Sequence, residues 1–192
     1  MDTLAYDERG LVPVVAQHAG LGTMLMLAWA NREALERTLD TGEAVFWSRS
    51  RGRLWRKGES SGNTLRVVSL HADCDGDTVL VRVRPTGPAC HTGERTCFGN
   101  GADPTLAGLA ATLAERAAER PEGSYTARLM DDSNLRLKKL GEETAELIQA
   151  LAQGDGPRAV EEAADLFYHA LVALLAEGVT AEDLLQELEG RR

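Results

Sequence analysis

The chain is short of three things: cysteine, long apolar runs and positive charge. It has three cysteines in 192 residues, and 21 lysines and arginines against 30 acidic side chains, a formal net charge of −9. Its longest apolar stretches are far too short to span a bilayer, which argues against a membrane protein. The first residues, Met1-Asp2-Thr3-Leu4-Ala5-Tyr6-Asp7-Glu8, are acidic where a secretory leader would be basic and then apolar. A cytoplasmic location is the expectation. The deficit of positive charge argues against a nucleic-acid groove or an anionic membrane as partner. It leaves small anions open, because metal ions and a few local cations hold phosphates whatever the overall sign. In a reducing cytosol an odd number of cysteines, placed beside acids, points to ligands and away from disulfides.

What is present falls into two halves. Up to about residue 99, short strand-like runs alternate with turns. Residues 12–18 and 23–28 flank Gly20-Leu21-Gly22 and read as a hairpin. Asn31 caps a short helix that reaches residue 39, with Gly42 just past it. Strands are expected over 44–47, 54–57, 64–73 and 78–84, the last with Val79, Val81 and Val83 alternating with Leu80, Arg82 and Arg84. Gly99-Asn100-Gly101-Ala102-Asp103-Pro104 reads as a linker whose Asp-Pro suits a helix start. Beyond it, helices are expected over 106–120, 125–130, 133–153, 157–177 and 181–188, the last capped by Thr180 with Asp183 completing a capping box. The prediction is an α+β chain of two domains, a small β-rich domain over 1–99 and an all-α helical bundle over 105–192. So few helices cannot bury their apolar faces well alone, which predicts a dimer.

All three cysteines lie in Asp73-Cys74-Asp75-Gly76-Asp77 and in Cys90-His91-Thr92-Gly93-Glu94-Arg95-Thr96-Cys97. Thiolates suit zinc, and clustered carboxylates suit magnesium. Three protein ligands leave a fourth tetrahedral position for water, the mark of a catalytic zinc. The alternative is a solvated acidic hairpin tip with a buried cysteine. Trp47-Ser48-Arg49-Ser50-Arg51 and Trp55-Arg56-Lys57-Gly58-Glu59-Ser60-Ser61-Gly62-Asn63 place cations among small residues, where backbone N–H groups can approach a phosphate and an indole can stack on a base. The alternative is a polar connection with its tryptophans in the core.

These motifs, in this order, resemble phosphoribosyl-AMP cyclohydrolase of histidine biosynthesis over most of residues 10–99. The resemblance implies a homodimer in which Cys74, Cys90 and Cys97, drawn from both subunits, bind Zn2+. It also implies Mg2+ at Asp73, Asp75 and Asp77, and hydrolytic opening of an adenine ring between N1 and C6. Arg49, Arg51, Trp55, Lys57, Glu59 and Ser61 are then the expected substrate contacts, and His91 the candidate for proton transfer. His18 and His71 have no such context and are expected to be structural.

In the second half, Glu143 and Glu146 are three apart, as are Glu162 and Asp165, so each pair shares a helix face and the pairs converge if the helices are antiparallel neighbours. Either the acids form a solvated face or they hold magnesium over phosphates. Ala145, Leu147, Ile148, Ala163, Ala164 and Leu166 around them suggest a packed seam. Ser124-Tyr125-Thr126, Lys138-Lys139-Leu140-Gly141-Glu142-Glu143 and Glu162-Ala163-Ala164-Asp165-Leu166-Phe167-Tyr168-His169 resemble phosphoribosyl-ATP pyrophosphohydrolase, an all-α NTP pyrophosphohydrolase. The resemblance implies Mg2+ at Glu143, Glu146, Glu162 and Asp165, with Glu143 and Glu146 catalytic, Glu142 in support, and Lys138 and Lys139 toward phosphates. Met130-Asp131-Asp132-Ser133-Asn134 departs from that family in being more acidic and lacking a glycine. Together the halves imply two consecutive hydrolyses on small phosphoribosyl nucleotides. The rival readings are a helical half that cleaves free NTPs, and a metal- and nucleotide-sensing module without activity.

Overall fold

The computed structural model describes residues 4–99 and 103–191 and divides into two compact units, the first ending at Pro104 and the second beginning at Thr105. Half of the expected 99–104 linker, at 100–102, lies outside the described residues, as do the first three residues of the acidic start.

In the first unit the strands are β1 (Val12–His18), β2 (Met24–Ala30), β3 (Val45–Ser48), β4 (Arg53–Arg56), β5 (Leu65–Ala72) and β6 (Val79–Pro85), with helix α1 (Arg32–Thr41) between β2 and β3. They form one sheet in the order β4-β3-β2-β1-β6-β5, antiparallel throughout except where β1 runs parallel to β6. Period-two alternation sends Val12, Val14 and Ala16 of β1 and Val79, Val81 and Val83 of β6 inward, onto Phe46, Leu65 and Leu35. A proline in a central strand would cost a ladder bond, yet Pro13 sits in β1. The β1–β6 pairing begins only at Val14 and Val79, so Pro13 precedes that ladder.

The sheet curls into a half-barrel. The N–H of Ala44 donates to the Leu65 carbonyl at 2.9 Å and that of Val67 to Gly42 at 2.8 Å, so chain entering β3 also pairs with β5 from the far side of the sheet. This pairing covers part of an edge that would otherwise be open. A bulge between Val67 and Ser69 adds to the bend. Helix α1 opens on Asn31, whose side chain accepts from the Ala34 N–H, and closes on Gly42 at φ 69°. Ala34, Leu35 and Thr38 form its buried face.

The second unit contains α2 (Thr105–Glu119), α3 (Tyr125–Asp131), α4 (Ser133–Gln153), α5 (Gly156–Ala176) and α6 (Ala181–Glu189). Its core is thin: Leu113, Leu129, Leu171 and Val172 are the fully buried apolar cluster. Asp132, one residue before the expected start, caps α4, and the Thr180–Asp183 capping box is present on α6. Gly154 at φ 72° ends α4 and turns the chain into α5. Along the 21 residues of α4 only Arg136, Glu143 and Ala150 are buried, one every second turn, which marks a narrow seam. The apolar residues expected around the acids divide: Leu147, Ala163 and Leu166 are half-buried. Ala145 and Ala164 are exposed and Ile148 is 61% exposed, while Glu143 and Glu162 are the buried residues. Spacing placed these residues on the right helices but did not say which face would be covered.

Candidate active sites

The β5–β6 hairpin carries its acids at the tip. The Asp73 N–H donates to the Thr78 carbonyl at 3.0 Å, Thr78 N–H returns to Asp73 Oδ1 at 3.1 Å, and Gly76 turns the chain at φ 75°. Carboxylate oxygens of Asp73, Asp75 and Asp77 all lie within 4.8 Å of one another, exposed to solvent. Burial opposes ionisation of Asp73, but hydrogen bonds from the Thr78 and Gly76 backbone and from its fellow aspartates outweigh it and hold the carboxyl below its ordinary value. Cys74 at this tip is exposed, so the alternative of a buried cysteine does not hold.

Cys90 and Cys97 sit beyond the opposite end of β6, on a loop pinned to β2 by Cys97 N–H to Leu25 O at 2.8 Å and by buried Thr96 to Met24 O at 2.5 Å. The two thiols are near enough to shift each other's ionisation. The Thr92 hydroxyl, 3.1 Å from Cys90 Sγ, pulls that thiol below its ordinary value. Burial and then Cys90 push Cys97 up, against the opposing charge of Lys57. His91 Nδ1 lies 3.8 Å from Cys90 Sγ. These residues share a cavity of about 500 Å3 with Arg51, Trp55, Lys57, Glu59 and Ser61. Five of the six expected substrate contacts thus meet two of the three cysteines. Arg49 lies in an adjoining cavity of about 700 Å3, its guanidinium 4.8 Å over the Trp29 ring, and Arg51 and Trp55 line both spaces. Trp47 and Trp55 are half-buried, with Phe46 in the core. The 58–63 turn is tightly drawn: a Cβ on Gly58, at φ 84°, would stand 2.5 Å from the Asn63 backbone.

The helical acids do converge. Glu143, Glu146 and Glu162 bring oxygens within 4.8 Å of one another, but Asp165, exposed one turn further along α5, is not in that group among the described residues. Burial, with repulsion from Glu146 and Glu143, raises Glu162 above the usual carboxylate range despite Arg158. Arg158 forms an ion pair with Glu162 and lies 3.5 Å from Glu146. The contact with Glu162 is close by distance but is not a directed hydrogen bond, since Glu162 Oε1 has no such partner. Lys139 bridges Glu142 at 3.0 Å and Glu143 at 3.2 Å, and those carboxylates, Glu142 first, push it well above the ordinary lysine range. Lys138 also pairs with Glu142.

Matches to known families settle what carries these sites. Residues 26–99 match the phosphoribosyl-AMP cyclohydrolase model and residues 106–192 the phosphoribosyl-ATP pyrophosphohydrolase model. The histidine biosynthesis bifunctional protein HisIE of Deinococcus radiodurans is 49% identical over 202 residues, spanning 100% of this chain and 93% of that protein. Its counterparts in Thermus thermophilus, 49% identical over 98% of this chain and 92% of its own, and in a Nostoc species, 45% identical over 100% and 93%, agree. The chain belongs to the HisIE family. It is a bifunctional enzyme of histidine biosynthesis, with a cyclohydrolase half followed by a pyrophosphohydrolase half.

Two residues of the pyrophosphohydrolase half contact the acids without a role assigned from sequence: Arg158, and His169, which entered only as the end of a motif. His169 is buried on α5 with Nε2 3.8 Å from Glu143 and its ring edge-on to Tyr125 and Tyr168; burial lowers it, against the pull of Glu143. It stands four residues beyond Asp165, and Arg158 four before Glu162, so helical spacing alone could have flagged both. In the cyclohydrolase half His18 Nδ1 accepts the N–H groups of Gly20 and Leu21, and His71 pairs with Ser69. Helix α2 begins directly after Asp103-Pro104, as expected, and the Asp103 carboxylate takes the Thr23 hydroxyl at 2.8 Å and pairs with Arg95.

The donors fit the expected metals. Two adjoining thiols, one already acidified, suit a soft divalent ion, and three mutually close carboxylates suit a hard one. One chain, however, keeps its sulfurs apart. Cys74 precedes β6 and Cys90 follows it, and the strand's seven residues span roughly 23 Å at about 3.3 Å each.

Proposed function

We propose that the helical half hydrolyses phosphoribosyl-ATP to phosphoribosyl-AMP and pyrophosphate, and that the N-terminal half opens the product's adenine ring between N1 and C6 at a zinc site shared by two copies of the chain. The observation that carries this is the single cavity in which Cys90, Cys97 and His91 meet Arg51, Trp55, Lys57, Glu59 and Ser61. Zinc, held there by Cys90 and Cys97 with Cys74 of a second copy, would supply a Lewis acid able to make a water nucleophilic at neutral pH. Trp55 offers its face to the adenine. Lys57 and Arg51 hold one phosphate and Arg49 the other, across the adjoining cavity. His91 delivers a proton to N1 as the N1–C6 bond breaks. Asp73, Asp75 and Asp77 bind magnesium.

In the helical half Glu143, Glu146 and Glu162, with Asp165, would hold magnesium, which would screen the charge of the triphosphate, and Glu143 and Glu146 orient the attacking water. Lys138 and Lys139 bind the phosphates. The spacing along β6 supports a homodimer, and so do Leu137, Ile148, Leu151, Val160 and Phe167, all more than half exposed on α4 and α5. Three thiols that must stay reduced favour the cytosol.

The test supplies phosphoribosyl-ATP with both metals and follows the products over time. Cys90→Ala stops the sequence at phosphoribosyl-AMP. Glu143→Gln prevents pyrophosphate release yet still opens added phosphoribosyl-AMP. Loss of both steps in either variant, or preference for ATP or dUTP over phosphoribosyl-ATP, overturns the reading.

A further inference from the structure

Arg158 stands on the first turn of α5 where a metal ion would have to go. Its Nη2 approaches both Glu162 and Glu146, and its Nη1 lies 2.9 Å from Glu161. Glu146 and Glu162 are two of the three carboxylates whose oxygens cluster within 4.8 Å. Glu162 is 1% exposed, and a buried carboxylate without a nearby cation is costly. The arginine side chain is 54% exposed, so it can leave by rotating about its own stem into solvent. A divalent ion at those oxygens and a guanidinium against them repel each other, so one must yield. The displaced guanidinium then has phosphates within reach, and its planar fork suits them.

We propose that Arg158 is the resident counter-ion of Glu146 and Glu162 and exchanges them for the phosphates of the incoming nucleotide when a divalent ion takes the carboxylates. This rests on the reading that these acids bind a metal. It makes metal and phosphate bind cooperatively: a bare metal must displace the arginine, whereas a metal arriving with phosphate gives the arginine a new partner. Arg158 is thereby a substrate-binding residue as well as a placeholder.

The test uses the full chain carrying Asp75→Asn and Asp77→Asn, which silence the hairpin tip, with Mn2+ alone and with inorganic pyrophosphate as probes, read by electron paramagnetic resonance and calorimetry. Arg158→Gln binds Mn2+ about tenfold more tightly, and loses about tenfold of the gain in pyrophosphate affinity that Mn2+ confers. Arg158→Lys, with its charge but no fork, still competes with Mn2+ and recovers part of that gain. Circular dichroism checks that both variants keep the wild-type helix content. Unchanged or weaker Mn2+ binding in Arg158→Gln overturns the proposal, as does tighter Mn2+ binding with the pyrophosphate coupling intact. Absence of Mn2+ binding with or without Arg158 sinks the metal reading itself, and the proposal with it.

Discussion

The two halves assemble acidic and sulfur ligands in opposite ways. The cyclohydrolase half keeps them on loops at the two ends of a strand, with exposed Cys74 about a strand length from half-buried Cys90 and exposed Cys97. The pyrophosphohydrolase half gathers three carboxylates from α4 and α5 within one chain, two of them buried and already paired with cations. The sheet gathers three carboxylates at one hairpin tip but leaves its sulfurs divided, whereas the helix pair converges its carboxylates and must neutralise them meanwhile. On the proposed function, the first arrangement depends on a partner and the second on a counter-ion.

The largest effect comes from breaking the partner dependence. Cys74→Ala and Cys97→Ala are each inactive in ring opening. After subunit exchange in an equimolar mixture, half the dimers are mixed and one of their two sites is intact, which restores about a quarter of wild-type activity. Pyrophosphate release stays at the wild-type level throughout. No recovery would place all three sulfurs in one chain's site.

Next in size is Gly58→Ala. Its Cβ meets Asn63 backbone in a conformation L residues avoid, so the cyclohydrolase half loses roughly 1–3 kcal/mol, measured by urea unfolding. Ring opening falls with it, while the helical half keeps its activity.

The counter-ion side can be sharpened by pH. Folding raises Glu162, so the folded chain without metal holds that proton more tightly than the unfolded chain does. Its contribution to stability is therefore present at acid pH and lost as pH climbs through the raised value. Magnesium needs the ionised form, so the stabilisation it gives, about 2–3 kcal/mol at a hundredfold excess over Kd, grows across the same window. Melting curves with and without magnesium should show this, and Glu162→Gln should flatten the pH dependence. The smallest effect belongs to Thr92→Ala, which removes the hydroxyl that acidifies Cys90. The midpoint of Cys90 alkylation by iodoacetamide then moves to higher pH.

Much of this was legible in the residues. Alternation in β6, the Asn31 and Gly42 caps and the Thr180–Asp183 box are local rules, and the structure obeys each. Helical spacing also brought Glu143, Glu146 and Glu162 together. Coverage was not legible. Spacing says which residues share a face, but only tertiary packing decides which face is buried. Ile148 and Ala164 therefore look outward while Glu162 is enclosed. Arg158 was missed because a lysine or arginine near a helix start ordinarily reads as a solvated charge.

The parallel pairing of β1 with β6 bears on how the first half is made. Val14 leaves the ribosome long before its neighbour Val79, so one side of β1 waits, its amides and carbonyls unsatisfied, until almost the whole half has emerged. In the later helices α4 packs on α5, the next element in the chain, although Leu113 and Leu129 still wait for Leu171 and Val172. During synthesis the vulnerable species is a chain stalled before residue 79, with an open strand edge available to any other nascent copy.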